Sequence, residues 1–228
     1  MLSTLREDVR SVLARDPAAN HWLQVVLFYP GLHAIWAHRL AHRLWRANIR
    51  FLAYAIAYLA RGITGVEIHP AARLGPRLFI DHGMGVVIGE TAEVGSDVTI
   101  YHGVTLGGVS LERGKRHPTV EEGVVIGAGA KVLGAITVGK NTRIGANAVV
   151  VKDVEPDRVV VGIPGKPVAR PGAPASPGHP DFQHGDLPDI LSERLDGMLN
   201  RLDRIEQAVR TLANGNGVEA QAEPDYVI

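Results

Sequence analysis

Four short segments concentrate side chains that bind or move protons: Val66-Glu-Ile-His-Pro70, Ile80-Asp-His-Gly-Met-Gly85, Val104-Thr-Leu-Gly-Gly108 and Gly114-Lys-Arg-His-Pro118. A neutral imidazole titrates close to physiological pH and suits general-base work. A guanidinium such as that of Arg116 grips a carboxylate through two parallel hydrogen bonds. Ten histidines also raise metal binding. A zinc-bearing solenoid of the carbonic anhydrase type needs two histidines on neighbouring strands, typically five residues apart, plus a third. Here His69, His82, His102 and His117 follow one another at 13, 20 and 15 residues, so no metal site is expected. The chain has no cysteine, which excludes disulfides, thiolate zinc, iron–sulfur clusters and a cysteine nucleophile.

These groups must be held by something regular, and the regularity is visible. An aliphatic residue followed by glycine recurs at Leu74, Ile88, Val94, Leu106, Ile126, Val138 and Ile144, at spacings of 14, 6, 12, 20, 12 and 6. Ile68, Ile80, Ile100, Val120, Val132 and Val150 fall in the same frame. A six-residue unit is too short for a helix pair or a propeller blade and predicts a parallel β-helix of stacked short strands over 66–166. The aliphatic position is expected to fill the axis and the glycine to permit a sharp corner. Ala128, Ala130, Ala146 and Ala148 suit the same crowded geometry. The frame breaks between Gly107 and Val120, so the polar, basic segment 108–118 is expected to leave the solenoid as a loop.

The flanks read differently. Residues 1–65 are expected to be helical, with a first helix ending near Asp16 and Asp16-Pro17 capping another. Tyr29-Pro30-Gly31 breaks the next helix. Beyond it Ile35, Trp36, Leu40, Leu44 and Trp45 recur as one buried helical face. Eight arginines against three acids in this segment read as a solvated surface packing against a partner. Residues 167–187 read as a Pro/Gly linker. From Leu191 to Leu212 apolar residues alternate at spacings of four and three, a heptad pattern that predicts a coiled coil over 188–213. A flexible tail, 214–228, follows. With 24 Lys and Arg against 24 Asp and Glu the net charge is zero, which argues against a nucleic-acid binder. The longest apolar run, Phe51–Ala60, is far short of the ~20 residues that span a bilayer, and no signal peptide opens the chain. A soluble cytoplasmic protein with no membrane partner is expected.

At the four segments named first, over about residues 5–170, the chain resembles bacterial serine O-acetyltransferases, hexapeptide-repeat enzymes that make O-acetyl-L-serine for cysteine synthesis. The resemblance implies a mainly β fold with α: an N-terminal helical segment, a left-handed parallel β-helix and a C-terminal helix. It implies acetyl-CoA as co-substrate, no permanently bound cofactor, and direct transfer with His82 as the general base that makes the serine hydroxyl nucleophilic. The family pairs this histidine with an aspartate fifteen residues earlier; Glu67 stands there instead, with the same charge on a longer arm. By the same resemblance Asp16 and Asp81 hold the serine amine, Arg116 pairs with its carboxylate, His117 lines the pocket, and Pro17 belongs to the same substrate-binding set. Gly108, Ala128 and Ala146 would contact the pantetheine, and Lys131 or Lys166 the phosphates. A homotrimer, or a hexamer through the N-terminal helices, is implied. So are reversible inhibition by L-cysteine and docking of the Asp225-Tyr-Val-Ile228 end with O-acetylserine sulfhydrylase (cysteine synthase). Two other readings stand beside this one: an acetyltransferase for a sugar or other hydroxyl acceptor, and a structural scaffold.

Overall fold

The computed structural model describes residues 2–168 and 190–215. Four helices come first: α1 (Leu2–Arg15), α2 (Trp22–Phe28), α3 (Pro30–Arg46) and α4 (Arg50–Thr64). No helix begins at Pro17. Asp16 caps a turn instead, its Oδ1 accepting from the Ala18 N–H at 2.8 Å, and α2 starts five residues later with His21 as its cap. Tyr29 separates α2 from α3, which opens on proline, where a missing N–H costs nothing. The buried face of α3 is Leu32, Ala34, Ile35, His38 and Ala41. The expected Leu40 is exposed, and a histidine takes the place in the stripe.

The rest of the first unit is a parallel β-helix of five coils. The first sheet stacks β1 (Glu67–Ile68), β4 (Val87–Ile88), β7 (Thr105–Gly107), β10 (Lys131–Leu133) and β13 (Val149–Val150). The second stacks β2 (Arg73–Leu74), β5 (Glu93–Val94), β8 (Thr119–Val120) and β11 (Thr137–Val138). The third stacks β3 (Phe79–Asp81), β6 (Thr99–Tyr101), β9 (Val125–Ile126), β12 (Arg143–Ile144) and β14 (Val159–Val161). Register reports the repeat directly. Lys131 pairs with Val149 and Thr119 with Thr137, steps of eighteen residues, or three hexapeptides. Thr105 to Lys131 is a step of twenty-six, and the excess is the loop between Gly107 and Thr119. The chain stays on the solenoid slightly past the expected linker start, because β15 (Lys166–Val168) folds back antiparallel onto β14.

Every aliphatic residue of the six-residue frame is buried on the axis except Leu74, which is partly covered. The repeat glycines serve a different purpose from the expected corner. Their backbones are not left-handed; the left-handed residues lie two positions on, at Arg77, Asp97, Asn141 and Asn147. At Gly127 an added Cβ would sit 2.6 Å from the backbone N of Ala146 on the next coil. Glycine is needed there because successive coils approach too closely for a side chain.

The second unit contains α5 (Ile190–Gly215), a single helix two residues further along than expected. Most of the expected linker and the tail ending at Ile228 lie outside the described residues. Among those described, no helix is long and apolar enough to cross a membrane.

Candidate active site

The residues expected to carry the chemistry gather at two corners of the solenoid, which hold different sets of groups. At the corner between the third and first sheets, β3 ends in Asp81 and is followed by His82, whose backbone is left-handed, φ 58°, a conformation in which histidine is more common than most residues. Its side chain is 75% exposed, with Nε2 4.0 Å from Asp81 Oδ1. One coil on, His102 meets it edge-on with ring centroids 5.9 Å apart, as the register Asp81 to Tyr101 requires.

The N-terminal helices add the rest of this corner. Gly31 lies so close to β3 that a Cβ would fall 2.1 Å from Ile80 O; this contact brings the start of α3 onto the strand that ends in Asp81. The preceding residue but one, Tyr29, donates from its hydroxyl to Asp16 Oδ2 at 2.6 Å. Arg15, buried at the end of α1, donates to Val98 O at 3.1 Å, to Thr99 Oγ1 at 3.0 Å and to Arg77 O. Burial brings its pKa down to about 10. That clamp fixes the residue before Asp16 to the solenoid. Burial, then the charges of His82 and Asp16, act on Asp81, and the balance raises its pKa. Burial and the bond to Asp16 push Tyr29 up to about 12. Burial and the same two carboxylates raise Tyr101. Two carboxylates that raise their neighbours' pKa values form a socket whose electrostatics improve when a cation enters.

The same corner continues up the solenoid as Ala128 and Ala146, each one coil beyond the last; the Asn147 N–H bonds Ala128 O at 2.8 Å. Ala146 is exposed and Ala128 half-buried. Lys131, at the start of β10, donates from Nζ to Gly103 O. Lys166 lies on β15, in the third sheet.

The second corner, between the first and second sheets, holds Arg116 and His117 at the end of the 108–118 loop. Thr91 pins them: its Oγ1 accepts from the backbone N–H groups of Arg116 and His117 at 3.0 and 3.1 Å. Its own N–H donates to His117 Nδ1 at 3.2 Å, so neutral His117 carries its proton on Nε2. Burial and Arg116 lower the pKa of His117. Its ring occupies the space above Gly89, where a Cβ would lie 2.0 Å from it. Gly108 borders Arg116 and His117 as well. Glu90 Oε2 accepts from Arg116 Nη2, and that bond lowers the pKa of Glu90.

Glu67 lies at the start of β1 with its carboxylate 3.0 Å from Arg61 of α4, an ion pair to a helix rather than to His82. The expected site residues therefore divide into Asp16, Asp81, His82, Ala128 and Ala146 at one corner and Gly108, Arg116 and His117 at the other. Tyr29, Glu90, Thr91, Tyr101 and His102 join them unannounced. Only the Tyr101-His102 pair left a trace in the sequence, twenty residues after Asp81-His82 and thus one coil away.

Comparison with known proteins decides the family. A model described as "Serine acetyltransferase, N-terminal" matches residues 1–37, and one for "Bacterial transferase hexapeptide (six repeats)" matches 117–152. A serine acetyltransferase of Mycobacterium tuberculosis is 57% identical over 207 residues, 90% of this chain and 88% of the relative. The chain belongs to the serine acetyltransferase family. Within that family a Staphylococcus aureus member is 48% identical over the full length of both chains. The Neisseria gonorrhoeae enzyme, solved in complex with serine, superposes with a TM-score of 0.72 at 48% identity, covering 74% of this chain and 69% of its own. A serine acetyltransferase solved with cysteine gives a TM-score of 0.75 at 42% identity over 78% and 68%. The solenoid is accordingly the left-handed parallel β-helix of hexapeptide acyltransferases.

Proposed function

We propose that this acyltransferase moves the acetyl group of acetyl-CoA to the hydroxyl of L-serine, giving O-acetyl-L-serine and free CoA. The observation that carries this reading is the grouping of Asp16, Tyr29 and Asp81 around His82: an anionic socket for an ammonium beside an accessible imidazole. The serine ammonium sits between Asp16 and Asp81, with Pro17 in the turn beside them, and its Oγ faces His82. His82 takes the hydroxyl proton as Oγ forms its bond to the acetyl carbon. The carbon–sulfur bond then breaks, and the imidazolium returns the proton to the departing thiolate. Glu67 orients and stabilises that imidazolium, and for this its carboxylate turns from Arg61. The pantetheine runs along Ala128 and Ala146, with Lys131 near the phosphates.

Arg116 and His117 complete the serine pocket from a neighbouring copy, which also brings Gly108 against the pantetheine. Their position at a different corner from His82 supports this. The assembly is a trimer, or a hexamer through the N-terminal helices. L-cysteine, with the same ammonium and carboxylate, occupies the serine site reversibly, and a chain with no cysteine cannot respond by disulfide formation. The Ile228 end docks with O-acetylserine sulfhydrylase, and the protein works in the cytoplasm.

Thiol release from acetyl-CoA tests the reading: L-serine is expected to stimulate it, while a galactoside and a blank are not. A galactoside that stimulates where serine does not overturns it.

A further inference from the structure

The helix α5 presents an apolar seam. Leu195, Met198, Leu202, Ile205, Val209 and Leu212 recur at spacings of three and four, and each is between 49% and 68% exposed. A helix of this kind draws most of its stability from packing that face, and α5 also carries the interior Gly197, whose absent side chain would touch nothing. We infer that α5 packs against the α5 helices of two other copies of this chain as a parallel, in-register three-stranded coiled coil.

The heptad assignment puts Leu195, Leu202 and Val209 at a, and Met198, Ile205 and Leu212 at d. The central heptad thus has leucine at a and a β-branched residue at d, an arrangement that shifts preference from two strands to three or four. Leu199 at e and Ala208 at g widen the apolar face beyond the narrow two-stranded seam. Charge sets the direction. Arg201 at g and Glu206 at e meet between neighbouring helices only when these run parallel and in register. Glu206 accepts from Arg210 of its own helix at 2.7 Å, and Arg201 of the neighbour approaches the same carboxylate. Closed cyclic symmetry also makes the helices parallel. The number three rests on the assembly proposed above; the self-association rests on α5 alone.

The full-length double variant R201C/E206C carries the only two cysteines in the molecule, and a short bis-maleimide is the probe. On denaturing gels the expected end product is a covalent species of three times the 24.5 kDa chain, and adding Ile205→Asp in the seam is expected to abolish it. Monomer alone, an end point at dimer or tetramer, or a trimer that survives Ile205→Asp overturns the coil. Serine-dependent thiol release is measured on the same samples and reads the active site separately, because none of these positions belongs to it.

Discussion

Gly127→Ala should cost far more than the addition of one methyl suggests, and the structure gives the size. The new Cβ would lie 2.6 Å from Ala146 N and 2.9 Å from Gly145 C and Ile144 O. All three are backbone atoms of the next coil, so no side chain can swing aside. Reaching an ordinary 3.4 Å contact parts the coils by about 0.8 Å. The flanking ladder bonds, Gly127 N–H to Ile144 O and Asn147 N–H to Ala128 O, are both 2.8 Å and would stretch to about 3.6 Å, outside hydrogen-bonding range. Two bonds lost in a buried setting are worth about 2–5 kcal/mol. For a chain of this size that lowers the melting temperature by roughly 5–15 °C. Because Ala128 and Ala146 flank the disturbance, KM for acetyl-CoA should rise more than KM for serine. Gly62→Ala is the control: nothing lies within 4 Å of its Cβ in α4, and it should add about 0.5–1 kcal/mol. Thermal melts followed by circular dichroism decide. If Gly127→Ala melts with the parent protein, or Gly62→Ala falls as far, the close-approach account of the repeat glycines is wrong.

His82→Ala is expected to lower kcat by about 10²–10⁴-fold, and Glu67→Gln by less, since in the proposed mechanism Glu67 acts only through the imidazole; equal losses in steady-state kinetics would contradict this. Tyr29→Phe removes the 2.6 Å bond to Asp16 and should raise serine KM about five-fold, near 1 kcal/mol, with acetyl-CoA KM unchanged. Burial pushes His38 down to about 3, so the native imidazole stays neutral while the unfolded one takes a proton below about 6.5. The unfolded state then binds more protons, and stability is lost as pH falls from about 6.5 toward 3, by about 2 kcal/mol at pH 5. His38→Gln keeps an N–H for Ala72 O, the 3.1 Å partner of Nε2. It should flatten that loss in denaturant titrations at pH 7 and 5.

The solenoid was legible because its period is a local property: one aliphatic residue in six must reach the axis, whatever the rest of the chain does. What the glycine does was not legible, since a residue without a side chain looks the same at a left-handed corner and beneath a neighbouring backbone. The left-handed corner residues include Asp97, Asn141 and Asn147, types that favour that conformation, and Arg77, which does not. On α3, hydropathy favoured Leu40 over His38, yet His38 finds a carbonyl at Ala72 and is buried, while Leu40 finds no place in the core. Long-range polar partners were the least visible. Nothing in the spacing of Asp16 and Tyr29, or of Arg15 and Val98, predicts that they bond, because those contacts depend on where α1 and α3 dock.

The division of the proposed site between two corners explains why the sequence could suggest its residues and still not assemble them. Register is strict: His82, His102, Ala128 and Ala146 rise along one edge because each is a whole number of coils plus insertions from the last. Arg116 and His117 begin the second sheet's turn, so no change of loop conformation within the 108–118 segment brings their pinned backbone to that edge. Thr91, on the preceding coil, holds both residues at their corner through four hydrogen bonds. In the proposed mechanism a carboxylate clamp at one corner and a base at another act on one small amino acid where two copies of the chain meet. On that reading the strict register that makes each half of the pocket precise also makes one copy insufficient.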